Sequence, residues 1–292
     1  MSHDLTAIAS QLRRLGRRFE PDVIMKSHAL YAPLHETEPY PGVVVTRDLK
    51  YGAHERHRLD VFAAQDRARR RPVLVYVHGG GFIGGDKKAP NSPFHDNIGV
   101  WAVRHGLLGV NMTYRLAPQH PWPAGAEDVA ATLAWVERHA AAHGGDPERV
   151  FLIGSSAGAA HVASCIAFPE FGPAQNLSGA ILLSGIYDLT AFEPNELVTS
   201  YYGMDSARYA ERSSLRGLIA TRIPLLVTLA EFDPIDFERQ ALNLVDGFFA
   251  RHGQWPNFVR LMGHNHFTTS LQLNTADDYL GRQIHAFVSE YG

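Results

Sequence analysis

The chain is poor in the residues that would mark several common classes of protein. It has one cysteine, Cys165, in 292 residues, which excludes an intramolecular disulfide framework and any cysteine-based zinc finger. Long apolar runs are missing: Val73–Val77 and Ala180–Leu183 fall far short of the ~18 residues that span a membrane. Met1–Gly16 is broken by Asp4, Gln11, Arg13 and Arg14, so no signal peptide is expected, and with one cysteine the expected compartment is cytoplasmic. Charge of one sign is also lacking. The formal net charge is -3, so no global field favours nucleic acid or an anionic membrane. The arginine clusters Arg13-Arg14, Arg17-Arg18 and Arg69–Arg71 have no interleaved stacking aromatics and read as solvated surface charge. There is no low-complexity stretch and no internal repeat.

What is present is alternation. Short β-branched runs are followed, after glycine or proline, by longer helical patterns. Strands are expected at Val43–Lys50, Arg58–Phe62, Pro72–His78, Leu107–Met112, Arg149–Ile153, Ala180–Leu183, Ile223–Leu229 and Asn257–Leu261. Helices are expected at Ala124–His143, Ala157–Phe168, Ile235–His252 and Ala276–Tyr291. Pro72–His78 is nearly all apolar, as a strand covered on both faces must be. The alternation predicts an α/β fold with a mostly parallel central sheet and helices on both faces. No linker divides the chain, so residues 1–292 are read as one domain. Residues 1–41, helical at first and then rich in proline (Pro21, Pro33, Pro39, Pro41), read as a small N-terminal cap or extension.

Gly154-Ser155-Ser156-Ala157-Gly158 lies between an expected strand and an expected helix. This is a GxSxG nucleophile elbow in its required context. The serine must sit on a sharp turn that lifts its hydroxyl, and bulk two residues either side would collide with the flanking strand and helix. Ser156 is the candidate nucleophile; Ser155 lies outside the glycine spacing. His78-Gly79-Gly80-Gly81-Phe82 closes the preceding strand and suits an oxyanion loop, where glycines let backbone N–H groups approach a substrate oxygen. The expected donors are Gly80, Gly81 and Ala157. Gly79, Gly81 and Gly84 also satisfy GxGxxG, but Pro90 and Pro93 fall where a dinucleotide-binding helix would run.

A serine nucleophile needs an acid and then a histidine, in that chain order. Asp233, in Glu231-Phe232-Asp233-Pro234, follows an expected strand at the end where open sheets bind ligands. Glu231 and Asp236 compete with it; Asp236 suits the first turn of the next helix. Gly263-His264-Asn265-His266-Phe267 offers two histidines before the last helix. His266 is favoured because it adjoins the turn into that helix, although alternation alone does not separate residues two apart. The pairs His54/His57 and His264/His266 lack an HExxH or a carboxylate cluster, so no metal is expected. Cys165 reads as a small core residue, His120 and His161 as packing or surface histidines, and Arg115 as a buried structural charge.

Four segments together resemble the α/β-hydrolase fold and, within it, the hormone-sensitive-lipase-like esterases. They are His78–Phe82, the stretch from Tyr114 to Ala124 (Tyr-Arg-Leu-Ala-Pro-Gln-His-Pro-Trp-Pro-Ala), Gly154–Gly158 and Asp233-Pro234. The likeness spans residues 42–291. It implies a serine hydrolase of short acyl or aryl esters, with Ser156, Asp233 and His266 as the triad, no cofactor, and a small-molecule ester as its partner. A second copy of the chain is the one macromolecular partner left open. Ser155 stands where the family commonly has Asp, and Gln119 where it commonly has Glu. Asp233–Gln240 and His266-Phe267 also resemble arylformamidases and small carboxylesterases, so an amidase is the alternative. A non-catalytic receptor on the same fold is more remote, because such receptors lose a triad member and this chain has all three.

Overall fold

The computed structural model describes residues 5–66, 69–89, 91–171 and 177–292. Pro90 and residues 1–4 of the expected cap lie outside the described residues.

The strands are β1 (Val43–Lys50), β2 (Arg58–Ala64), β3 (Arg71–Val77), β4 (Leu108–Met112), β5 (Gly145–Ser155), β6 (Leu177–Leu183), β7 (Leu225–Phe232) and β8 (Asn257–Asn265). They form one sheet in the order β1-β2-β4-β3-β5-β6-β7-β8. The pairs β1–β2 and β2–β4 are antiparallel and the others are parallel. Alternate residues of the apolar strands feed opposite layers, as a period of two requires. Val73, Val75 and Val77 pack with Val129, Leu133 and Val136 of the helix α4 (Ala124–His139) and with Val162 of the helix α5 (Ala157–Ala167). Leu74 and Tyr76 pack on the other face with Trp101 of α3 (Asp96–Arg104) and Ile284 of α11 (Tyr279–Tyr291). Burying both faces is what makes these strands apolar throughout.

β3 pairs with β4 on one side and β5 on the other, so the winding direction reverses between β3 and β5. Open α/β sheets bind ligands at such a switch point. The loop from His78 and the turn at Ser156 leave β3 and β5 at this place.

Some elements differ from expectation. β5 begins at Gly145 because Gly145 and Asp146 pair with Arg71 and Pro72 before a register shift. Three short helices, α6 (Glu196–Tyr202), α7 (Tyr209–Arg212) and α8 (Leu215–Ala220), occupy a stretch without helical periodicity, as does α3 earlier in the chain. The Asn195 side chain caps α6 by accepting the Val198 N–H, a local signal present in the sequence. α9 (Ile235–His252) follows β7 as expected, and α10 (Thr268–Leu271) intervenes between β8 and α11. At the N-terminus, α1 (Leu5–Leu15) and α2 (Pro21–Tyr31) bring Ile8, Leu12 and Tyr31 into a small core with Phe94 and Leu271. Among the described residues no helix is long and apolar enough to cross a membrane.

Candidate active site

Ser156 occupies the turn between β5 and α5 with φ 54° and ψ −117°, a strained conformation for a residue with a side chain. Its N–H is held by the Leu183 carbonyl of β6 at 2.9 Å. The neighbouring glycines are demanded by close backbone approach: a Cβ on Gly154 would meet the Gly158 carbonyl, and one on Gly158 would meet the carbonyls of Val77 and His78. The turn therefore packs against the end of β3 with no room for a methyl group.

His266 stands over Ser156 at the end of β8. Its Nε2 lies 2.9 Å from Ser156 Oγ, and its Nδ1 lies 2.6 Å from Asp233 Oδ1. An ionised carboxylate only accepts, so Nδ1 carries the proton and Nε2 presents its lone pair to the serine hydroxyl. Asp233 is fully buried. Its second oxygen, Oδ2, accepts the Ser184 hydroxyl at 2.7 Å and the Ala230 N–H at 2.6 Å. Phe19, Phe237 and Phe267 surround the His266 ring.

The competing residues are placed differently. Glu231 accepts the Gly263 N–H at 2.7 Å. Asp236 lies in the first turn of α9. The Nδ1 of His264 faces the Thr268 hydroxyl at 3.2 Å and the Gln272 amide at 3.3 Å, while its Nε2 is 3.5 Å from Asp277. Burial pushes the His264 pKa below the usual histidine value. The two histidines thus face different neighbours, and only His266 meets Ser156 and Asp233.

The loop after β3 carries three consecutive residues with positive φ: Gly80 at 135°, Gly81 at 59° and Phe82 at 70°. Its frame is held by the Gly84 N–H on the Gly80 carbonyl at 3.0 Å and by the Tyr114 hydroxyl on the His78 carbonyl at 2.9 Å. His78 Nδ1 donates to the Gly79 carbonyl at 2.6 Å. Ala157 is the first residue of α5, where a helix leaves its N–H without an intrahelical partner.

Two cavities meet at Ser156, with Phe19, Gly81 and Leu197 common to both. The larger, about 570 Å³, includes His266, Gly79 and Gly80. The smaller, about 170 Å³, includes Ala157 and is walled by Phe82, Ile186, Phe192, Val198 and Phe237. Among the described residues no group of three or more His, Cys, Asp or Glu is arranged to hold a metal ion.

Sequence reasoning missed Ser184, which follows β6; the rule that places Asp233 at a strand end applies equally to it. It also missed the partners of Arg17, an exposed residue that donates to the Asp233 carbonyl at 2.9 Å and to Glu238 at 2.8 Å. The cluster is surface charge as expected, and the added feature is that Arg17 has partners more than 200 positions away in the chain, which local pattern does not reveal. Arg115 is only partly buried and pairs with Asp128 and Glu127. His161 is buried among Phe82, Tyr114 and Tyr201. Cys165 is buried, which pushes its thiol pKa up to about 12.

Residues 74–244, more than half of the chain, match the family described as alpha/beta hydrolase fold. The chain belongs to that family. Among curated proteins, the chain is similar to a probable isoprenylcysteine alpha-carbonyl methylesterase of Oryza sativa subsp. japonica, 29% identical over 245 residues, covering 80% of this chain and 54% of that protein. It is also similar to esterase LipQ of Mycobacterium tuberculosis, 28% identical over 242 residues, with 78% and 52% covered. A shorter match, 47% identical over 89 residues, is to carboxylesterase NlhH of the same species, covering 30% of this chain and 26% of that one. The chain spans about half the length of the curated relatives that it matches over most of its own length. Among solved structures, esterase B from Lactobacillus rhamnosis inhibited by a tributyrin phosphonate superposes with a TM-score of 0.73 at 16% identity, covering 99% of this chain and 97% of that one. The hyperthermophilic esterase from Pyrobaculum calidifontis gives 0.71 at 20% identity, with 97% of each chain covered. At these identities the likeness is one of fold.

Proposed function

We propose that this alpha/beta hydrolase is a serine carboxylic-ester hydrolase that cleaves short-chain acyl or aryl esters through an acyl-enzyme. The carrying observation is the continuous chain of contacts Ser156 Oγ–His266 Nε2 at 2.9 Å and His266 Nδ1–Asp233 Oδ1 at 2.6 Å. That the relatives are named esterases supports the same reading.

Ser156 Oγ attacks the ester carbonyl as its proton passes to His266 Nε2. The carbonyl π pair moves to oxygen, and the N–H groups of Gly80, Gly81 and Ala157 receive that oxyanion. Asp233 stays ionised, holds the tautomer and stabilises the imidazolium. The tetrahedral adduct collapses by breaking the bond to the leaving oxygen, which takes the proton from Nε2 and departs as an alcohol. Water then repeats the sequence on the acyl-enzyme, with His266 as base, releasing the acid and restoring the serine.

The two cavities divide the ester. The leaving oxygen must lie beside His266 Nε2, and His266 lines the larger cavity only. The acyl chain therefore takes the smaller one. At about 170 Å³ the smaller cavity has less than a third of the volume of the larger, about 570 Å³, which suits short acyl groups.

The test is hydrolysis of 4-nitrophenyl butyrate beside formanilide, with wild type and Ser156→Ala. The ester should turn over well and the anilide poorly, and Ser156→Ala should lose ~10⁶ in kcat by analogy with subtilisin. Ser156→Ala retaining more than a few per cent of the ester rate would refute the reading; a faster anilide would make the protein an amidase.

A further inference from the structure

The wall of the larger cavity away from the elbow is not uniformly apolar. Tyr76, on β3, lines it and is almost wholly buried, yet its phenol oxygen has no hydrogen-bond partner among the described residues. Ser270 lines the same cavity, and its side chain is the polar neighbour that acts on the Tyr76 phenol. His95 lines it too, with its ring 5.3 Å from that of Tyr76. Its Nδ1 donates to the Asp86 carbonyl at 2.7 Å, so its Nε2 carries the lone pair. Burying a hydroxyl without a partner is costly, and the mechanism above uses neither Tyr76 nor His95. Other orphaned polar atoms, such as those of His161, line neither cavity at the elbow.

Resting on the esterase reading and refining it, we propose that Tyr76 and His95 form a subsite that hydrogen-bonds a neutral hydroxyl on the leaving group, at the end remote from the scissile oxygen. One hydroxyl satisfies both residues: it accepts from the Tyr76 O–H and donates to His95 Nε2. Burial raises the Tyr76 pKa and lowers that of His95, so both are neutral at pH 7. Among the described residues no Lys or Arg lines this cavity, so a carboxylate gains no counter-charge from them there. The rings of Phe19, Phe267, Tyr76 and His28 wall the space, which fits a leaving group containing a ring. The substrate class is therefore an ester between a short acid and a ring-bearing alcohol or phenol with a distal neutral hydroxyl.

The experiment compares 4-(ω-hydroxyalkyl)phenyl butyrates with one, two or three methylenes against the 4-alkylphenyl butyrates with the same number of heavy atoms. The acyl group is constant within each pair, and the hydroxyl is insulated from the phenol oxygen by the methylenes. At the best length, kcat/KM should favour the hydroxyl ester by about three- to tenfold, the worth of one net hydrogen bond, chiefly through KM. In Tyr76→Phe, with its melting temperature checked, the ratio should fall to one or below. A 4-(2-carboxyethyl)phenyl butyrate should be the poorest of the set. Preference for the alkyl ester at every length in wild type, or a hydroxyl preference surviving Tyr76→Phe, would overturn the subsite while leaving the esterase reading intact. Hydrolysis of none of these esters would overturn the esterase reading and the subsite with it.

Discussion

Ser184 Oγ donates to Asp233 Oδ2 at 2.7 Å, while the other carboxylate oxygen meets His266. Ser184 itself is held at a positive φ of 47° just beyond β6. The end of one strand therefore orients the acid carried on the end of the next, and both oxygens of a fully buried carboxylate are occupied. Asp233→Asn should lower kcat by ~10⁴, the loss seen when the orienting acid of a serine protease is replaced by its amide. Ser184→Ala should cost about ten- to a hundredfold, since a hydrogen bond to a charged group is lost. Asp236→Asn should change kcat little. Steady-state kinetics on the three variants checks the order, and a larger loss in Asp236→Asn would move the acid three residues along.

His266→Ala should lose nearly all turnover while still binding a non-hydrolysable ester analogue. His264→Ala should keep the chemistry, because its partners are Thr268, Gln272 and Asp277. Its cost should appear as a lowered melting temperature. Loss of turnover in His264→Ala, with normal stability, would contradict the assignment.

Acyl length should be limited by the smaller cavity. With 4-nitrophenyl esters, kcat/KM should peak at or below about six carbons and fall for octanoate and decanoate. Val198→Phe, which fills this cavity, should move the optimum to shorter acids. Rates that climb through decanoate in both proteins would contradict the division of the ester between the cavities.

Acid stability should report the buried His161. Neither of its ring nitrogens has a hydrogen-bond partner among the described residues, and burial lowers its pKa from 6.5 to about 3. Between those values the unfolded chain binds one more proton than the folded one. Stability therefore rises with pH over this window and is lost as pH falls from 6.5 towards 3. The slope from this one residue is of order 1 kcal/mol per pH unit. Urea melts at pH 6 and pH 4 should show a smaller difference for His161→Gln than for wild type; equal differences would contradict it.

Most of this architecture could be read in the sequence, for identifiable reasons. Strands buried on both faces are apolar throughout, so β3 and β5 stand out, and the glycines at 154 and 158 are visible because steric demand permits little else. Asp233 and His266 were found from chain order and strand ends, which sheet topology converts into proximity. Ser184, Arg17 and Phe19 were not found. Their roles arise from contacts between distant segments, and a serine, an arginine and a phenylalanine are unremarkable where they stand. The short helices α6–α8 escaped because a helix of seven residues or fewer has too few turns to show a period. The partition of the cavity is likewise a property of packing, since Phe192, Val198 and Phe237 meet only in three dimensions.

The central claim is that Ser156 is the nucleophile, and covalent labelling tests it most directly. Wild-type protein treated with a butyl-chain 4-nitrophenyl phosphonate should gain one adduct, with release of one equivalent of nitrophenol. Peptide mass spectrometry should place that adduct on Ser156, and Ser156→Ala should gain none while Ser155→Ala still labels. An adduct on Ser155 or on another residue, or undiminished labelling of Ser156→Ala, would contradict the account.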